Sequence, residues 1–137
     1  MSGTPTADRT FGFGVGHVIQ EYYVDDDADP AIRDQIESAT GHALVDEDYG
    51  DVVDGAVIWW RADDAEGEDL TDLLVDAAAN LDNGGLVWVL TPKPGRPGHV
   101  RPAEIEEAAK TAGLHTTSAI SAGKAWSGIR LTARGRQ

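Results

Sequence analysis

The chain has 137 residues, no cysteine and a formal net charge of −13. This length suits one domain with an ordinary hydrophobic core, and the lack of cysteine excludes disulfides and thiolate metal sites. No apolar stretch approaches the roughly 20 residues needed for a bilayer-spanning helix.

The charge is unevenly placed. Residues 1–82 carry 21 acids and 3 bases, whereas residues 83–137 carry 3 acids and 8 bases. The chain is therefore expected to be dipolar, with a basic edge on an acidic body. An acidic body repels phosphate backbones and anionic membrane surfaces, so neither nucleic acid nor membrane is an expected partner. No basic segment followed by an apolar core opens the chain, and a cytoplasmic location is expected.

MSGTPTADRT, residues 1–10, is small and polar and reads as a flexible tail. Phe11-Gly-Phe-Gly-Val-Gly16 leads into a first strand over about residues 17–24, rich in β-branched and aromatic residues. Asp29 and Pro30 suit the cap and first position of a helix, Ile32, Ile36 and Ala39 share one face, and Gly41 ends it. A short strand is expected over 43–45. DEDYGD then reads as a loop, with a short turn at Val52-Val53.

Gly55–Trp60 is an apolar run of strand length, followed by a polar loop over 61–66. Leu70, Leu73, Leu74, Ala77, Ala78 and Leu81 keep helical spacing and predict an amphipathic helix. Asn83-Gly84-Gly85 reads as its terminating turn, and Leu86–Leu90 as an interior strand. Pro102 to Gly113 is a third helix, its apolar face carried by Ile105, Ala108, Ala109 and Ala112. Residues 114–121 and 125–133 form a terminal hairpin around Ala122-Gly123-Lys124, leaving 134–137 as a loose tail. One domain over 11–133 is expected. Its class is α/β: a three-layer, Rossmann-like, mostly parallel sheet with a C-terminal antiparallel hairpin strand.

The second half, with strand, helix, Gly-Gly-strand, helix and final hairpin, resembles class I S-adenosylmethionine-dependent methyltransferases. LVDEDYGDVVDGAVIWWR, GGLVWVLTPKPGRPGHV and AWSGIRL resemble an uncharacterised bacterial family common in actinobacteria, the domain of unknown function numbered three thousand and fifty-two. The methyltransferase resemblance implies a Rossmann-like fold; the second resemblance carries no activity.

The residues themselves argue against standard cofactor chemistry. Glycine-spaced ligand loops follow the first strand; here the glycines precede it, and the loop after it is Asp25-Asp-Asp-Ala-Asp29. The four histidines lack ligand spacing, the acidic loop lacks the glycine and final glutamate of a calcium loop, and no Gly-x-Ser-x-Gly elbow occurs. No catalytic residue, metal ligand or cofactor is assigned.

In a parallel sheet the segments after successive strands emerge on one side. That gathers Arg61, Lys93, Arg96, His99, Lys124, Trp126 and Ser127 on one rim. Prolines at 92, 94 and 97 would hold the basic side chains with little entropy to lose on binding. The expected function is a non-catalytic binding or regulatory module, whose basic Pro/Gly-rich loop recognises a small anionic ligand or an acidic protein partner. The alternative is an enzyme or sensor for a small anionic metabolite, or for an adenosine-containing cofactor such as S-adenosylmethionine, using the same rim.

Overall fold

The computed structural model describes residues 11–133, except for the side chains of Asn83 and Ala133 and the surroundings of Gly84. The tails expected at 1–10 and 134–137 lie outside the described residues. Five strands and three α-helices follow one another as β1 (Ile19–Tyr22), α1 (Pro30–Thr40), β2 (Val53–Trp59), α2 (Leu70–Ala79), β3 (Leu81–Pro92), α3 (Pro102–Thr111), β4 (Leu114–Ala122) and β5 (Trp126–Ala133). The sheet order is β1-β2-β3-β5-β4. β1, β2 and β3 run parallel, and β5 is inserted antiparallel between β3 and β4.

Local chemistry sets the helix boundaries. Asp29 caps α1 by accepting from the Ala31 amide at 2.9 Å, Pro30 occupies the first turn, and Gly41 closes the helix at φ 78°. Asp69 caps α2 through the Thr71 amide at 3.1 Å. Helix α2 ends at Ala79, two residues before the expected limit, because Asn80 is its C-cap and Leu81 already pairs with Val53 of β2.

Three further expectations are corrected. The strand expected over 43–45 is a single parallel bridge, Gln20 to Val45. Val53, expected in a turn, opens β2. Asn83-Gly84-Gly85 does not interrupt the chain between a helix and a strand but lies inside β3, where the register with β2 slips between Val53 and Gly55. Gly85 permits that bulge: a Cβ there would stand 2.8 Å from the Asp54 carbonyl oxygen.

Alternation along the strands sorts the core into two layers. On one face Ile58, Val87, Val89, Ile129 and Leu131 pack under Leu73, Leu74 and Ala77 of α2 and Ile105 and Ala109 of α3. On the other, Trp59, Trp88, Leu90 and Trp126 pack under Ile32 and Ile36 of α1 and under Phe11 and Phe13 of the entry segment. The glycine-spaced segment is thus a cover for the sheet: the Trp88 indole donates to the Phe11 carbonyl at 2.8 Å, and the two rings meet edge to face. The architecture is three-layered α/β, as expected. No helix among the described residues is long and apolar enough to cross a membrane.

Candidate functional site

From β1 the chain runs through α1 to the Val45 bridge on one side of β1, then returns to form β2 on the other. Strand order therefore reverses between β1 and β2. A crevice outside the carboxyl ends of such strands is the usual ligand position in open α/β sheets.

Here that crevice is occupied by Arg61. Its Nη1 donates to the carbonyls of Tyr23 at 2.9 Å and Trp59 at 2.7 Å, tying the ends of β1 and β2 together. Its Nε donates to Asp27 at 3.0 Å, Nη2 also bonds Asp27, and Nη1 lies 3.4 Å from Asp64. The guanidinium carbon stands 5.3 Å from the centre of the Trp126 ring. Burial pulls against the charged guanidinium, yet Asp27 and Asp64 outweigh it and hold Arg61 above the ordinary arginine value. The hydrogen bond from Arg61 in turn holds the Asp27 carboxyl below the usual carboxylate range.

Nearby groups close the same edge. Tyr23, at φ 62°, donates from its hydroxyl to Glu68 and from its backbone amide to the Glu47 carboxylate, both at 3.0 Å. Glu21, only 4% exposed, accepts both nitrogens of Arg33 at 2.7 and 2.9 Å and the Trp59 indole at 3.1 Å. Sequence reasoning missed the Glu21–Arg33–Trp59 network. Its only signal was an acid in an otherwise β-prone run.

The second locus lies where β3 ends. The 93–99 loop is a pair of turns, with Arg96 and His99 amides donating to Lys93 and Arg96 carbonyls at 3.1 and 3.2 Å. Gly95 and Gly98 take φ of 87° and 86°, which a side chain rarely adopts. The Lys93 amide bonds the Ala125 carbonyl at 2.9 Å, and Lys93 Nζ donates to the Gly123 carbonyl at 3.2 Å, pinning the loop to the β4–β5 turn.

A cleft of about 330 Å³ opens beside this loop, on the α3 face of the sheet. Its floor holds a cross-strand row of hydroxyls: Thr91 of β3 is opposite Ser127 of β5, which is opposite Ser121 of β4. Pro94, Val100, Pro102 and Ile129 supply apolar walls. His99 lines the cleft, and its Nδ1 lies 2.8 Å from the Pro92 carbonyl oxygen. A carbonyl only accepts, so Nδ1 is the protonated, donating nitrogen in this contact. Thr91 is 4% exposed, and among the described residues its hydroxyl has no protein partner.

The seven residues expected on one rim divide between the two faces of the sheet, although Arg61 meets Trp126 and its neighbour Ala62 bonds the Gly98 carbonyl. His99 and Ser127 meet in the cleft. Arg96 and Lys124 are exposed on the two turns that Lys93 joins. Arg61 and Trp126 are not in the cleft: Trp126 points to the α1 face, 3% exposed, with its ring edge to face on Trp59 at 4.9 Å. Thr91 and Ser121 join the site unforeseen, because sequence does not reveal which strand positions lie opposite one another. No group of three or more His, Asp or Glu side chains among the described residues is placed to hold a metal ion.

Comparison with solved structures finds methyltransferase folds. A putative methyltransferase from Thermoplasma acidophilum superposes with a TM-score of 0.61 at 9% identity, over 90% of this chain and 70% of that one. Magnesium protoporphyrin IX methyltransferase from Synechocystis, solved with bound S-adenosylhomocysteine, gives 0.55 at 11% identity, over 88% and 75%. Such identities establish the fold, which is Rossmann-like and methyltransferase-like, and nothing about activity. In sequence, uncharacterised proteins of Mycobacterium tuberculosis and Mycobacterium bovis are 50% identical over 123 residues, spanning 90% of this chain and 75% of theirs. Residues 8–135 match the family described as Protein of unknown function (DUF3052), and the chain belongs to that family.

Proposed function

We propose that this chain is a non-catalytic binding module that recognises an anionic group at the cleft beside the 93–99 loop. Thr91 is the observation that carries this reading. A buried hydroxyl without a protein partner needs one from outside, and its row leads through Ser127 and Ser121 to the cleft. His99 offers a second polar contact. Arg96, in the 93–99 loop, and Lys124, in the β4–β5 turn, are exposed, make no ion pair among the described residues, and are the cations this reading assigns to the anion. The loop is held by its own hydrogen bonds, so little ordering entropy opposes binding.

S-adenosylmethionine, bound in two of the similar methyltransferases, does not fit the residues at the β1–β2 crevice. The segment after β1 has no glycine through which backbone could approach a ligand, and Asp25, Asp26 and Asp27 would repel a carboxylate. Arg61 already spans the strand ends there. The fold is retained while its usual ligand position serves as a structural joint.

The reading is tested by thermal-shift screening against inorganic phosphate, small carboxylic acids, nucleotides and S-adenosylmethionine. A ligand at 100 times its Kd stabilises by about 2.7 kcal/mol, and Arg96→Ala/Lys124→Ala should abolish that shift while leaving the unliganded melting temperature in place. Stabilisation by S-adenosylmethionine that survives the double substitution would overturn it.

A further inference from the structure

We propose that the chain forms a two-fold symmetric dimer through the outer edge of β4, joining two sheets into one. This goes beyond the binding reading and does not depend on it. Among the described residues, β4 is the last strand of the sheet and pairs only with β5. Half of its backbone N–H and C=O groups therefore face outward, a template for another strand.

The sequence leaves that template unguarded by charge. From Thr111 to Gly123 there is no Asp, Glu, Lys or Arg, in a chain where such residues make up 26%. Yet the strand is not interior: His115, Thr117, Ser118, Ala119 and Ser121 are exposed, and Ile120 is half-buried. Exposed edges usually carry lysine or proline to prevent pairing, and β4 has neither. A bulge at Thr116/Ser118, where Thr117 is tied to Arg130 at 2.8 Å, confines the regular pairing surface to Ser118–Ala122.

The charge distribution selects the occupant. Two copies of a −13 chain repel through most of their surfaces, and β4 is an edge where they can approach with no like charges on the paired strands. Self-pairing about a two-fold axis must be antiparallel, because each residue then meets its symmetry-related counterpart reciprocally. Centred on Ser118–Ala122, it places Ile120 opposite its mate and Ala119 opposite Ser121. It also brings the two clefts, each lined by Ala119 and Ser121, to either side of the axis.

Sedimentation velocity across a concentration series tests this directly. The wild-type chain should reach twice the monomer mass. Ala119→Lys/Ser121→Lys, which sets like charges directly opposite, should remain monomeric with an unchanged circular dichroism spectrum. Because the chain has no cysteine, Ile120→Cys should oxidise to a covalent dimer, whereas Val75→Cys on the exposed side of α2 should not. A wild-type monomer at every concentration would overturn the proposal. So would a dimer that survives the double lysine variant, since it would use another face. Loss of ligand binding with the dimer intact would count against the cleft and leave the edge standing.

Discussion

Removing Arg61 should destabilise the fold far more than removing a surface cation. In Arg61→Ala the carbonyls of Tyr23 and Trp59 lose their donor, at about 1 kcal/mol each even if water partly replaces it. The Asp27 side chain is 54% exposed, so its ion pair contributes under about 1 kcal/mol. The guanidinium, on a side chain 13% exposed, stands over the Trp126 ring; losing that contact costs about 1 kcal/mol. The total is about 3 kcal/mol, a large share of the roughly 5–15 kcal/mol that holds a domain folded. Urea unfolding followed by tryptophan fluorescence should show the midpoint falling by about 1 M or more, at a typical slope of about 1–3 kcal/mol per M. Asp27→Asn should cost under about 1 kcal/mol. If Arg61→Ala shifted the midpoint no more than Arg96→Ala does, Arg61 would not be a joint. It would again be a free cation for a ligand, and the β1–β2 crevice would return as a site.

Other outcomes follow from the same coordinates. Gly85→Ala meets backbone rather than a mobile side chain, 2.8 Å from the Asp54 carbonyl, and should lower stability by about 1–3 kcal/mol in thermal melts. Asp27 has a folded pKa below its unfolded value. Its contribution is therefore present above about pH 4 and lost as pH falls through the folded value, so acid-unfolding curves of wild type and Asp27→Asn should converge at low pH. Burial, then the hydrogen bond to Glu68, pushes the Tyr23 hydroxyl up to about 12. A raised pKa gives stability that is whole below the unfolded value and falls as pH rises toward 12. Tyr23→Phe should lack that alkaline decline, as ultraviolet-monitored unfolding between pH 9 and pH 12 would show.

Much of the fold was legible because its signals are local. The 3.6 spacing of Leu70, Leu73, Leu74 and Ala77 places those four on the buried face of α2, and Asp29-Pro30 with Gly41 marks both ends of α1. What sequence hides is lateral. Asn83-Gly84-Gly85 reads as a turn because glycine pairs suit turns. Only the neighbouring strand, reaching Leu81 through Val53, turns it into a bulge. The site divides the same way. The proline-rich loop announces Lys93, Arg96 and His99 as ordered and basic. That Arg61 reaches back to the end of β1, more than thirty residues upstream, depends on tertiary geometry that no spacing encodes. The face that Trp126 takes is hidden for a related reason. A shift of one residue along a strand exchanges faces, and only the pairing of Trp126 with Pro92 puts it on the α1 side.

The cleft reading is tested most directly by backbone amide NMR during titration with whichever anion stabilises the chain in the thermal screen. Shift changes should centre on Thr91, His99, Ser121 and Ser127, with Tyr23, Asp27 and Glu47 unmoved. Changes centred instead on Tyr23, Asp27 and Arg61, with the cleft silent, would contradict it and restore the crevice between β1 and β2 as the working site.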